Sequence, residues 1–501
     1  MTNHSQRLSS LPAAWELRDA LHREETTSVK LLAQSLDLIH SLNEELGAFV
    51  AVNGEKALTA AKKYDAARSS SARDLLGGLP LAWKDLIDVA GFPTRMGSRI
   101  TPETPVDLTH PLVDKVTQAG SFTIGKTAVP EFGLNAYSEN DANPPARNPF
   151  DPNRTPGGSS GGAAAAVASG MLAVAPGNDG GGSVRIPAAA CGLVGLKTSL
   201  GLIREDLMNG ASEGKTPLTD KRGAPRLAVT GPLGRSAFDA ALLLDAMTGA
   251  RGSNSYYEVA RTLDPVHATY APKHAKDNPQ SAKLHGREEP LHIAVSTDSP
   301  FDSALGSSLS PESLTALEAG RKLLEKVSCV VVPEKFEYPE DYHATFRTVW
   351  TGGLAEAPIP VEAEALLTPL ARDFRESSRA QSEETKQAAA TRLSEIGRGF
   401  REAWGKFDVV LTPALAWEPP EIGFFTREDP ERDYVLQCQF TPFTSMVNVS
   451  GLPAIVVPVS ITSNGLPMAV QLIGRLHSER QLLTLAAAME AARGPLVFTQ
   501  N

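Results

Sequence analysis

Two glycine-rich stretches, Gly157-Gly158-Ser159-Ser160-Gly161-Gly162 and Gly180-Gly181-Gly182-Ser183-Val184-Arg185-Ile186-Pro187, bracket a run of small apolar residues from Ala163 to Ala175. That run suits a tightly packed helix leading into a buried strand. Each glycine stretch presents a serine on backbone that bulky residues cannot follow, because glycine tolerates positive φ and close approach. Two serines on two such platforms, so near in sequence, point to a catalytic centre.

Around this centre, strand-like and helix-like segments alternate. Leu79-Pro80-Leu81-Ala82-Trp83 reads as a short strand that delivers Lys84 to its end. Residues Leu112 to Thr127 read as a helix and then a strand, broken at Gly120, and Asn140 to Thr155 as a long ordered loop rich in Asn, Pro and Asp. Further strands are expected at Leu291 to Ser296, Asp408 to Thr412, Ala454 to Val459 and Met468 to Ile473, and helices at Ser236 to Met247 and Gln481 to Ala492. Ser310-Pro311 opens another helix, a capping hydroxyl followed by proline in the first turn. Upstream, Leu32, Leu36 and Ile39 recur at helical spacing with Ser28 as the expected N-cap. Glu376 to Trp404 reads as one charged amphipathic helix with a solvated face. The alternation predicts an α/β layered fold. Residues 1–70 form a helical arm packed on the core, and 71–501 a single domain. Two variable parts interrupt it, a polar excursion at about 250–290 and a helical region at about 340–404.

The chain has 501 residues, a formal net charge of −10 and three cysteines. An acidic balance argues against a nucleic-acid partner, whose binding faces are usually basic. Cys191, Cys329 and Cys438 are too few and too scattered for a disulfide framework or a thiolate metal site, which fits a reducing compartment. The opening MTNHSQRLSS lacks the apolar run of a signal peptide, and Gly161 to Pro176 is too short to span a bilayer. The expectation is a cytoplasmic protein without membrane attachment, cofactor or metal.

Which residues carry chemistry is less direct. A serine hydroxyl is a poor nucleophile until a base takes its proton. The backbone N–H groups of Gly180, Gly181, Gly182 and Ser183 are candidates to converge on one point and stabilise an oxyanion. The plain alternative is a glycine turn whose serine caps a helix. Gly157-x-Ser159-x-Gly161 also matches a nucleophile elbow, with His343 or His477 and Asp433 as partners, but a Pro/Asn-rich loop stands where an elbow requires a strand. No Gly-Lys-Ser/Thr follows to make a phosphate loop, and no HExxH or paired Cys/His spacing supports a metal. Lys84 would serve as a base only if buried enough to lose its proton, since desolvation disfavours the ammonium. Leu81, Ala82, Trp83, Leu86 and Ile87 supply an apolar setting for that.

Taken together, these residues resemble the amidase signature family. The resemblance rests on Gly78-Leu79-Pro80-Leu81-Ala82-Trp83-Lys84-Asp85, Glu131-Phe132-Gly133, Arg147-Asn148-Pro149, the run from Arg154 to Gly162 and that from Asp179 to Pro187. Cys191-Gly192-x-x-Gly195-Leu196-Lys197 and Asn448-x-x-Gly451-Leu452-Pro453-Ala454 complete it. The resemblance implies a central mixed β-sheet covered on both faces by helices. It implies Ser183 as the acyl-accepting nucleophile, Ser159 as a bridging serine after a cis Gly158–Ser159 bond, and Lys84 as the terminal base of a Ser-Ser-Lys triad. Asp179 and Arg185, flanking the nucleophile turn, are expected to brace the loop. Pro176 and Asn178 depart from the family's usual residues at those places, and at the position of Gly180 the family more often has a bulkier residue or glycine.

The implied activity is hydrolysis of linear carboxylic amides through an acyl-serine intermediate. Members also include the glutaminase component of glutamyl-tRNA amidotransferase. That type usually carries Arg-Gln-Pro after the nucleophile and Met-Asp-Glu-Phe upstream, where this chain has Arg185-Ile186-Pro187 and Ala128-Val129-Pro130-Glu131-Phe132. Both departures favour a stand-alone hydrolase of small amides, with a homodimer as the assembly to test. Met96, Leu134, Tyr137, Phe440, Phe443 and Met446 are the expected walls for an apolar or aryl acyl group.

Overall fold

The alanine run is a helix, Gly161–Ala168, in which every residue is buried, and it leads into the strand β4, Val174–Asp179. Small side chains are demanded here by space. A Cβ on Gly162 would stand 2.3 Å from the Ala128 backbone nitrogen and 2.6 Å from the Ala48 carbonyl oxygen. The structure, a computed structural model, describes residues 11–67, 74–203, 218–262 and 289–496.

Eleven strands are described, in two sheets. The smaller has the order β1-β3-β2, from Phe49–Val52, Ser121–Thr127 and Leu79–Lys84. β2 runs parallel to β3, with Lys84 opposite Thr127, and β1 runs antiparallel on the other side. The first seventy residues therefore contribute a strand as well as helices. The larger sheet has the order β4-β6-β5-β10-β11-β9-β7-β8. Its members beyond β4 are β5 Val194–Lys197, β6 Val229–Gly234, β7 His292–Val295, β8 Val330–Pro333, β9 Val409–Pro413, β10 Ala454–Ile461 and β11 Pro467–Gly474. Pairing is antiparallel from β4 to β9 and parallel through β7 to β8. Helices flank this mixed sheet, as an α/β layered fold requires.

Three local readings change. Thr27, not Ser28, caps the second helix, Ser28–Leu46: its hydroxyl accepts the Lys30 N–H, while the Ser28 N–H is itself held by Asp65. The expected single helix from Glu376 to Trp404 is two, Pro369–Arg379 and Glu383–Trp404, because Ser382 starts a new helix by accepting the Thr385 N–H. Nor is the second simply a solvated face. Ala390, Leu393, Ile396, Phe400 and Trp404 are buried, and Gly397 lets its backbone approach Val449, where a Cβ would meet the Val449 carbonyl oxygen at 2.4 Å. The expected irregular excursion at 250–290 contains a 3-10 turn, Gly252–Asn254, and a short helix, Tyr256–Thr262; residues 263–288 lie outside the described residues.

Candidate active site

β2 ends on Lys84, which is 1% exposed. Its Nζ lies 2.7 Å from Ser159 Oγ and donates to the Asn178 carbonyl at 3.2 Å. Leu81, Ala82 and Trp83 are buried, whereas Leu86 and Ile87 are only partly so. Behind the lysine stands a buried ion pair, Lys126 Nζ to Asp85 Oδ1 at 2.9 Å. Burial lowers the Lys126 ammonium and raises the Asp85 carboxyl, in each case against the pull of the partner.

The chain enters Ser159 from a loop. Gly157 has φ +77°, and the Gly158–Ser159 bond is cis. A Cβ on Gly158 would stand 2.2 Å from the Tyr137 carbonyl oxygen, so only glycine passes there. Ser138 Oγ donates to the Gly157 carbonyl and accepts the Gly161 N–H, locking the turn. The Ser160 N–H then donates to the Ser183 carbonyl at 3.2 Å, which places the two serine platforms side by side. Ser159 is 1% and Ser183 7% exposed.

Asp179, Arg185 and their neighbours hold the second platform. Arg185 is fully buried, and all five of its guanidinium N–H groups are used. Nε–H goes to Asp179 Oδ2; the Nη1 pair goes to the Thr444 carbonyl and Gln471 Oε1; the Nη2 pair goes to Asp179 Oδ1 and Asn448 Oδ1. Burial alone would raise the Asp179 carboxyl, but the Arg185 charge and hydrogen bonds hold it well below the usual carboxylate range. Asn448 Nδ2 donates back to Asp179, and Thr444 Oγ1 donates to the Gly181 carbonyl at 2.6 Å.

This packing alters the expected oxyanion set. The Gly182 N–H donates to Asp179 Oδ1 at 2.9 Å, and the Val184 N–H to Oδ2 at 3.2 Å. The carboxylate acts as a template that turns the loop, so Gly182 is engaged in it. The N–H groups of Gly180, Gly181 and Ser183 are the remaining candidates. Gly182 has φ +133°, and a Cβ there would strike Thr444 Oγ1 at 2.6 Å.

The cleft beside Ser183 is lined by Leu134, Ile186, Phe301, Phe346, Trp350 and Tyr434, together with polar groups. Of the six expected wall residues, only Leu134 is there. Tyr137 is buried, stacks on Phe425 at 5.0 Å and donates its hydroxyl to Asp433 at 2.7 Å. Phe440, Phe443 and Met446 are fully buried core residues. Met96 follows Lys84 on a turn at φ +50°, where its carbonyl accepts the Phe132 N–H. The elbow partners do not gather either: Asp433 is bonded to Tyr137 and Gln437, His343 stacks on Tyr434, and the His477 N–H donates to Ser199. A larger cavity, about 920 Å³, lies apart from both serines between the helix Ala14–His22 and the segment Ser255–Arg261.

Residues 30–483 match the amidase family. AmiB2 of Mycobacterium tuberculosis, which carries an amidase name, is 35% identical over 471 residues, covering 93% of each chain.

The chain belongs to the amidase family.

This amidase is also 31% identical to the A-type component of the glutamyl-tRNA(Gln) amidotransferase of Chromohalobacter salexigens over 508 residues, covering 95% of this chain and 96% of that one. Among solved structures it superimposes on 6-aminohexanoate cyclic dimer hydrolase with a TM-score of 0.79 at 25% identity, covering 97% and 99% of the two chains. Membership makes the protein an amide hydrolase with the amidase signature fold. Among the described residues, no helix is long and apolar enough to cross a membrane.

Missed by sequence reasoning were Thr444 and Gln471, which complete the Arg185 cage, and the three aromatic rings at 301, 346 and 350. Asn448 was visible only as part of a motif. Polar residues in mid-strand or at the start of a short helix, such as Gln471 in β11, are the signal that was available, since buried polar groups need partners.

Proposed function

We propose that the protein is a stand-alone hydrolase of small-molecule amides in which Ser183 forms an acyl-enzyme, Ser159 relays protons and Lys84 is the terminal base. The observation that carries the reading is the Lys84 Nζ–Ser159 Oγ contact of 2.7 Å on a platform hydrogen-bonded to Ser183. Lys84 as the free amine keeps one N–H on the Asn178 carbonyl and offers its lone pair to the Ser159 hydroxyl. Ser159 in turn takes the proton of Ser183 as its oxygen attacks the amide carbon. The oxyanion falls to the N–H groups of Gly180, Gly181 and Ser183, which need no reorganisation because Asp179 and Arg185 brace their loop. When the C–N bond breaks, the proton returns through Ser159 to the leaving nitrogen. Water, deprotonated by the same relay, then attacks the acyl-serine and releases the carboxylate.

Support for an apolar acyl group comes from the cleft. Three of its polar members already have partners: Gln437 bridges Asp433 and the Ala136 N–H, Ser445 pairs with Tyr342, and Thr441 donates to the Gln437 carbonyl. What remains for a ligand is mainly aromatic and aliphatic surface. The test is a hydrolysis panel of aliphatic, aryl, N-substituted and peptide amides plus glutamine, with Ser183→Ala as the blank. Turnover of simple amides that vanishes in the variant is the expected result. Glutamine hydrolysis that arises only with tRNA and a partner protein would replace this reading with the amidotransferase one.

A further inference from the structure

Gly180 and Gly181 are not at positive φ, so backbone conformation does not set them apart. What lies beside them is Trp350. A Cβ on Gly180 would stand 3.3 Å from Cζ3 and 3.4 Å from Cη2 of Trp350, and one on Gly181 would stand 3.7 Å from Cη2. The indole edge thus crowds position 180, where a Cβ would be tight against it, and lies in ordinary contact distance of position 181. Trp350 belongs to the helix Tyr342–Glu356 and stacks on Phe346, with ring centres 5.7 Å apart at 18°. Phe346 meets Phe301 edge to face at 6.4 Å. Trp350 is only partly buried, so it stands at the mouth of the cleft that holds Ser183. The free volume of that cleft is about 60 Å³, far below the roughly 300 Å³ at which ordinary ligand pockets begin. Its walls are largely aromatic, from Phe301, Phe346, Trp350 and Tyr434, so an aromatic group beside Ser183 meets rings rather than polar side chains.

We infer that Trp350 and Gly180 form a paired specificity element that selects amides with a planar aromatic acyl group, the ring packing against the indole while its carbonyl carbon faces Ser183. The inference rests on the amide-hydrolase reading above. Aromatic pairs prefer offset or edge-to-face contact and gain beyond simple area burial, which a saturated ring of the same carbon count cannot match.

Benzamide and cyclohexanecarboxamide separate these cases, since they differ in planarity and not in carbon number. The wild type is expected to favour benzamide in kcat/KM by about two- to tenfold. Trp350→Ala should collapse that ratio toward one, and Trp350→Phe should keep most of it. Gly180→Ala, which pushes a methyl group at the indole, should lower the ratio in the same direction. A wild type that hydrolyses both amides equally, or a Trp350→Ala variant that loses the same factor on both, would overturn the inference while leaving Ser183 chemistry standing. Turnover that survives Ser183→Ala would overturn the underlying reading and this inference with it.

Discussion

Replacing Arg185 by methionine tests the scaffold of the site, and its effect can be worked out in advance. Methionine keeps the buried stem but removes five donors, of which two serve Asp179. The Asp179 carboxylate, fully buried, would keep only the N–H groups of Gly182, Val184 and residue 185 and the amide of Asn448. Removing one partner of a buried ion pair costs about 3–5 kcal/mol. For a chain of this length the unfolding entropy is about 1 kcal/mol per kelvin, so the melting temperature should fall by about 3–5 °C. The deficit must also depend on pH. In the wild type the Asp179 carboxyl sits below its unfolded value, so the stability it contributes is present above the unfolded value near 4 and is lost only as the medium becomes strongly acidic. Without Arg185, burial dominates and lifts the carboxyl above its unfolded value; stability is then lost as pH rises from about 4 upward. Melting temperatures of both proteins at pH 5 and pH 8, compared as differences, read this directly. A deficit below about 1 kcal/mol, or one of equal size at both pH values, would refute the reasoning.

Other consequences follow from the same geometry. Lys84→Met should fold normally and lose about 10²–10⁴-fold in acylation rate; adding Ser159→Ala should cost little more, because the two act as one unit. Additive losses in stopped-flow acylation would separate them. Gly182→Ala places a methyl 2.6 Å from Thr444 Oγ1 and should abolish turnover with a destabilisation of about 1–3 kcal/mol; wild-type kcat would show that the loop shape is unimportant. Lys197 is fully buried against the Thr198 and Leu452 carbonyls, and burial, with the Arg185 charge, pushes its ammonium down to about 7. The folded value lies below the unfolded one, so the unfolded chain binds the extra proton between about pH 7 and 10, and stability rises with pH there by up to about 1.4 kcal/mol per unit. Lys197→Met should flatten that slope in melts at pH 7 and pH 9. Parallel slopes in the two proteins would contradict the assignment.

How much of this was legible in the sequence depended on whether a residue's role is set locally. Lys84, Ser159 and Ser183 stand on strand ends and glycine turns whose chemistry is written within a few neighbours, and the structure brings Lys84 onto Ser159. The α/β alternation was equally visible, because strand and helix periods differ. The helix cap shifted by one residue since Thr27 and Ser28 both carry a hydroxyl, and only the Asp65 contact decides between them. The cleft walls were not legible. Phe440, Phe443 and Met446 look like wall residues by type and proximity to the Asn448 motif, yet their depth is fixed by packing against distant strands. Trp350 and Phe346 come instead from a helix outside the motifs, and only the folded chain lays the Trp350 indole beside Gly180 with Phe346 stacked on it. The engagement of the Gly182 N–H by Asp179 was also hidden, because which amides of a glycine turn face inward depends on its exact path.

The role of Ser183 as nucleophile is tested most directly by treating the protein with a fluorophosphonate and locating the adduct by peptide mass spectrometry. One phosphonyl group on Ser183 is expected, formed quickly in the wild type, slowly in Lys84→Met and not at all in Ser183→Ala. An adduct on Ser159, or labelling as fast without Lys84, would contradict it.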